Sequence, residues 1–128
     1  TIEDWKETAE ALSEGVNAVI ARAKDKGVDL IIEGVHFIPN KAVIDSWIES
    51  GGFATGVVLY VASEERHRGM IANREKHNGK KVDHYLKNLP RIREIQEDMV
   101  ASGSISDWLL IDPTREFDAE GSIGKRLS

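Results

Sequence analysis

The sequence predicts an α/β fold built on a parallel sheet. Stretches with helical periodicity alternate along the chain with short apolar runs of strand type, Val28–Glu33, Val57–Val61 and Trp108–Ile111. The second and third runs are continuously apolar rather than alternating, as expected of strands covered on both faces. A chain of 128 residues, 41% apolar and 30% charged, suits one soluble globular domain with a real core and leaves no room for a second.

Each element has a local reason. Over residues 3–26, Trp5, Ala9, Leu12, Val16, Val19 and Ala23 fall on one helical face. Glu3, Asp4 and Glu7 open this helix and Lys24 and Lys26 close it, matching its dipole, and Gly27 fits a left-handed stop. Val28–Glu33 then reads as a strand that ends in an acid and a glycine. Such a strand delivers a carboxylate to the rim of the sheet, where ligands of α/β proteins bind. Pro39-Asn40 opens a helix to about Ile48, which Gly51-Gly52 ends. Val57–Val61 is the second strand. Ser63 caps a helix running to about Lys76, with Glu64 and Glu65 in its first turn. His77–Lys81 is a polar break. Val82–Val100 is helical again, with Pro90 kinking or dividing it near Asn88. Trp108–Ile111 is the third strand, closed by Asp112-Pro113, and residues 114–128 read as a polar, irregular tail.

Three strands make a narrow sheet, and little chain remains to flank them. Further strands are therefore expected from an earlier part of a longer polypeptide or from a partner chain; the opening of the sequence in mid-helix agrees.

Composition removes several chemistries. Without cysteine there is no disulfide, thiolate metal site or thiol nucleophile. No apolar run approaches the roughly 18 residues of a membrane span, and no leader signals export, so a cytoplasmic location is the default expectation. His67, His77 and His84 lack zinc-ligand spacing. No Gly-x-Ser-x-Gly elbow is present.

Charge is unevenly placed. Arg66, Arg68, Arg74, Lys76, Lys80, Lys81, Lys87, Arg91 and Arg93 face only two acids, Glu75 and Asp83, in residues 66–93. That segment carries +7 in a chain whose total is −5, which leaves −12 for the remainder. Such a split points to an anionic ligand meeting one segment. A solvated helical face is the ordinary reading of a charge run, but solvated helices usually interleave both signs. Nucleic acid is disfavoured as the anion: Tyr85 is the lone aromatic in the segment and the chain as a whole is acidic.

Three motifs in this order carry a resemblance: Leu30–Pro39 with its Glu-Gly-x-His element, Glu65–Arg68 followed by Asn73-Arg74-Glu75, and Tyr85–Leu89 with Ile92-Arg93 and Ile95-Gln96. Over about Asp29–Val100 the chain resembles the C-terminal half of a P-loop small-molecule kinase of the 2-phosphoglycerate kinase type. The resemblance implies a partial three-layer parallel sheet of the P-loop kinase type, lacking the first strand and the phosphate loop. Residues 1–112 form this part, with a lid at about 63–93, and 113–128 form the tail. Gly121–Arg126 does not replace the missing loop: its spacing is wrong and an arginine stands where a hydroxyl should hold magnesium.

The resemblance also implies ATP and Mg2+ as cofactors, transfer of phosphate to a hydroxyl of a small phosphorylated acid, and the N-terminal half of the same protein or a second copy as partner. Glu33 is then the acid near magnesium or the base for the acceptor, and His36, three residues on, is close enough to touch the same ligand. Arg66 and Arg74, eight residues apart, nearly share a helical face and are candidate catalytic lid arginines. Arg68 points about 160° away from Arg66. With Lys80, Lys81, Tyr85, Arg91 and Arg93 it completes the expected substrate-binding set. Arg93 with Glu97 is equally a surface pair. The chain alone is expected to be inactive. The alternative reading is a non-catalytic module derived from such a kinase, which binds an anion or nucleotide or self-associates.

Overall fold

The computed structural model describes residues 1–78 and 86–128. Helix α1, Ile2–Lys26, has both expected ends: the Asp4 amide donates to Thr1 Oγ1 at 3.2 Å, and Gly27 closes it at φ 66°. Trp5, Ala9 and Ala23 of its apolar face are buried, whereas Leu12 and Val19 stay half-exposed, so the middle of the face lacks a cover. Helix α2, Lys41–Glu49, starts at Asn40, whose side chain accepts from the Ala42 amide at 2.8 Å.

The sheet is a parallel pair, β1 (Val57–Leu59) and β2 (Leu109–Ile111), in the register Val57↔Leu109, Val58↔Leu110, Leu59↔Ile111. Helices α3, Glu64–Asn78, and α4, Leu89–Ile105, lie in the connection between the strands. The Ser63 hydroxyl accepts from the Arg66 amide at 3.2 Å, so the expected cap on α3 is present. Helix α4 packs on both strands and on α1. Its approach to the sheet depends on Gly103, where a Cβ would lie 2.8 Å from Val58 Cγ2 and 3.0 Å from Leu110 Cδ2. Gly56 makes room in the same way for the Trp108 ring, 2.0 Å from a hypothetical Cβ. Val58, Val61, Ile71, Leu89, Trp108 and Ile111 form the buried centre.

Three expectations are corrected. Val28–Glu33 is not a strand: it leaves α1 without regular secondary structure, outside any ladder, with Ile31 93% exposed. A strand needs a neighbour for its backbone groups, and Asp29–Glu33 make no backbone hydrogen bond to any described residue. The sheet therefore has two strands among the described residues rather than three. The division expected near Asn88 is present: Asn88 stands before α4, and Pro90 occupies the first turn of that helix, where its missing N–H costs no bond. Residues 82–85 lie outside the described residues. The tail is not irregular throughout: Asp118 accepts from the Gly121 amide at 2.9 Å and starts helix α5, Ala119–Leu127.

Candidate ligand site at the carboxyl ends of the strands

The two strands are tied together where they end. Beyond β1, the Val61 amide donates to Gln96 Oε1 at 2.9 Å, and Gln96 Nε2 donates to the Val61 carbonyl at 3.0 Å. Arg93 reaches the same turn, donating through Nη1 to the Val61 carbonyl and through Nη2 to the Ala62 carbonyl at 3.0 Å. From β2, Asp112 accepts from the Ala62 amide at 3.0 Å and from the Thr114 amide and hydroxyl at 2.9 and 2.6 Å. These bonds hold the Asp112 carboxyl below its ordinary range, the Thr114 hydroxyl contributing most and the Ala62 amide next.

His67, one turn into α3, meets this cluster. Its Nδ1 lies 3.3 Å from Arg93 Nη1. A guanidinium has only donors to offer, so Nδ1 accepts and the ring proton sits on Nε2. Partial burial, and then the charge of Arg93, push the His67 pKa below its usual value, which favours the neutral ring.

An open cleft of about 1140 Å3 lies on the β1 side of the pair. Its walls include Leu30–Val35, Ala54–Leu59, and Ile92, Ile95, Gln96 and His67 from the helices. Glu33 and His67 thus share one cavity. The expected arginines lie outside its lining. Arg66 is exposed and donates to Thr114 O and Oγ1 at 3.3 and 3.4 Å. Arg68 lies 3.8 Å from Glu64 as a surface pair. Arg74 on α3 and Arg91 on α4 are exposed, and His36 is half-buried outside the cleft lining. Lys80, Lys81 and Tyr85 lie outside the described residues.

Sequence reasoning missed Asp112, Thr114 and the role of Gln96. A signal for Asp112 was present: an apolar run ending in Asp-Pro repeats the strand-then-acid pattern that drew attention to Glu33. Gln96 stood within a motif of the resemblance but carried no role of its own.

A parallel βαβ connection with polar groups gathered at the carboxyl ends of its strands defines an α/β protein, and these groups stand where ligands of such folds usually bind. No protein-family profile matches the chain, and no solved structure does. Curated relatives do. The chain is 30% identical over 99 residues to 2-phosphoglycerate kinase of Pyrococcus furiosus, a match covering 77% of this chain and 31% of that enzyme. It is 34% identical over 70 residues to 2-phosphoglycerate kinase of Methanothermobacter thermautotrophicus, covering 55% of this chain and 22% of that protein. It is also 28% identical over 109 residues to mevalonate-3-phosphate 5-kinase of Thermoplasma acidophilum, covering 81% and 52%. The chain is therefore similar to part of a 2-phosphoglycerate kinase, as its motifs implied. It spans under a third of the length of the enzymes of that name, which fits a C-terminal fragment of such a kinase.

Proposed function

We propose that this chain is the acid-bearing and lid-bearing part of a larger ATP-dependent kinase of P-loop type. That kinase would transfer the γ-phosphate to a hydroxyl of a small phosphorylated acid similar to 2-phosphoglycerate. The observation that supports this most is the sharing of one cleft by Glu33 and His67 beside the ends of the parallel strands. The kinase relatives support the reaction class.

The donor set suits magnesium bound together with phosphate. Among the described residues no group of three or more His, Cys, Asp or Glu side chains could hold a metal ion. Mg2+ paired with substrate phosphates needs only one or two protein carboxylates, and Glu33, exposed on the cleft wall, supplies one. When bound, the ion neutralises charge on the phosphates. Phosphoryl transfer is mostly positioning and charge stabilisation, and this chain contributes to both. Arg66 and Arg74 project from α3 as the phosphate clamp. His36, Arg68, Lys80, Lys81, Tyr85 and Arg91 belong to the acceptor side. Arg93 fixes the Val61–Ala62 turn and, through it, the start of the lid.

The test replaces the matched 99-residue segment of the Pyrococcus furiosus enzyme with this chain. The chimera is expected to transfer phosphate from ATP to 2-phosphoglycerate, and Glu33→Gln to lower kcat by about 100-fold or more. Mevalonate 3-phosphate is assayed in parallel, and a preference for it would change the acceptor assignment. A folded chimera with neither activity, or clear turnover by the 128-residue chain alone, overturns the proposal.

A further inference from the structure

The two ring nitrogens of His67 stand in different company. Nδ1 lies 3.3 Å from Arg93 Nη1. Arg93 is itself fixed, with Nη1 on the Val61 carbonyl and Nη2 on the Ala62 carbonyl at 3.0 Å. A guanidinium keeps its protons throughout the working pH range, so it never offers Nδ1 an acceptor. The ring proton is therefore held on Nε2. Among the described residues the imidazole makes no hydrogen bond besides the one to Arg93, so the Nε2–H has no partner there. The ring is half-buried and lines the cleft. Other polar side chains of the cleft wall are occupied within the protein: Gln96 closes on Val61, and the Trp108 indole donates to the Asn40 carbonyl at 3.3 Å. Arg66 and Arg68 flank His67 in sequence, and Arg93 stands beside it, so the setting of this N–H is positive.

We infer that the His67 Nε2–H is a neutral hydrogen-bond donor to an anionic oxygen, phosphoryl or carboxylate, of the molecule that the cleft binds. The inference rests on the kinase reading for the class of that molecule, and it deepens that reading by giving His67 a contact with it. A second positive charge 3.3 Å from Arg93 is unfavourable, and burial adds to its cost, so the ring meets the anion as a dipole rather than as an ion. A neutral imidazole N–H still polarises an oxygen that bears negative charge. Its role differs from that of the exposed arginines. A cation attracts an anion from many directions, whereas one N–H rewards a single oxygen placed along its own line. Glu33, ionised, can only accept, so it cannot hold that oxygen. The acid and the imidazole therefore address different parts of one molecule in the cleft they share.

The test reads the imidazole nitrogens of the 128-residue chain by heteronuclear NMR at about pH 8, where the ring is neutral. A protonated Nε2 and a bare Nδ1 are expected for His67. 2-Phosphoglycerate, glycerate and ATP are then titrated separately, and a saturable shift at Nε2 is expected. A shift with 2-phosphoglycerate but not glycerate assigns the acceptor's phosphoryl oxygen. A shift with both assigns its carboxylate, and a shift with ATP alone assigns the nucleotide. A proton on Nδ1, or no shift at Nε2 with any of the three, overturns the inference. Two variants separate the donor from a merely structural ring. His67→Asn keeps an acceptor for Arg93 but stops short of the Nε2 position, whereas His67→Gln carries an amide N–H to it. Read through the Leu59 and Gln96 amides, affinity for the anion that binds should fall about tenfold or more in His67→Asn and less than about threefold in His67→Gln. The reverse order marks a ring that serves only to anchor Arg93 and overturns the inference, as do variants that bind as tightly as the parent. None of these readouts requires phosphate transfer, so an inactive kinase chimera and a failed His67 contact are separate results.

Discussion

Gln96 meets Val61 through both of that residue's backbone polar groups, at 2.9 Å to the N–H and 3.0 Å to the carbonyl. A side-chain amide on α4 thereby ends the β1 edge and joins the helix to the turn that starts α3. Val61 is buried, with 7% of its surface exposed, so water cannot readily replace the lost partner. Gln96→Leu should destabilise the fold by about 1–3 kcal/mol, the cost of an unsatisfied buried donor. Gln96→Glu keeps the acceptor and should cost less. Urea unfolding of both variants measures the difference, and equal stability of Gln96→Leu and the parent would show that the pairing carries no weight.

His67 predicts a pH dependence. Its folded pKa lies below the usual 6.5, so the unfolded chain binds more protons in the window between the two values. Stability should be full above about pH 6.5 and decline as pH falls through that window. His67→Gln should remove this slope while leaving the rest of the curve. Denaturant unfolding from pH 7.5 to 5, with the ring titrated by NMR, checks the sign; stability that rose on acidification would contradict it.

Asp112 acts in a lower range. Its carboxylate accepts from Ala62 and Thr114 and its folded pKa is depressed below 3.8. The stabilisation is present above the unfolded pKa and is lost as pH falls through the folded one. Asp112→Asn replaces one acceptor oxygen by a donor facing donors, and should lower Tm at pH 7 while flattening the acid limb below about pH 4. Thermal melts across pH 2.5–7 test both features together.

Two glycines in helices should respond oppositely to alanine. At Gly103 a Cβ meets Val58 and Leu110 at 2.8 and 3.0 Å, so the helix–sheet spacing must give. The overpacking cost of about 1–3 kcal/mol exceeds the roughly 1 kcal/mol gain in helix propensity. At Gly69, within α3, nothing lies within 4 Å of the added Cβ. Gly69→Ala should therefore stabilise by about 0.5–1 kcal/mol. Unfolding of the two variants gives the comparison, and a stabilising Gly103→Ala would refute the close approach.

Much of the architecture is legible in local chemistry. The ends of α1 and the start of α2 follow from Gly27 and Asn40, because a left-handed stop and a side-chain cap are decided by residues adjacent in sequence. The α5 helix was less legible because its signal is a single cap at Asp118 amid polar residues. Glu33 was recognisable as a site candidate from its place after an apolar run. The cluster of Gln96, Arg93, Asp112 and Thr114 was not, because its bonds join residues 2–50 positions apart and depend on how α4 lies against the sheet.

By itself the sequence determined helices α1 to α3 with their caps, the two apolar strands near residues 57 and 109, and the likeness to part of a kinase. Tertiary structure alone decided that, among the described residues, Val28–Glu33 pairs with no strand and β1 pairs with β2 alone beside an apolar cleft. The reason is physical: a helix satisfies its backbone within its own residues, whereas a strand exists only where a neighbour supplies the other half of its hydrogen bonds.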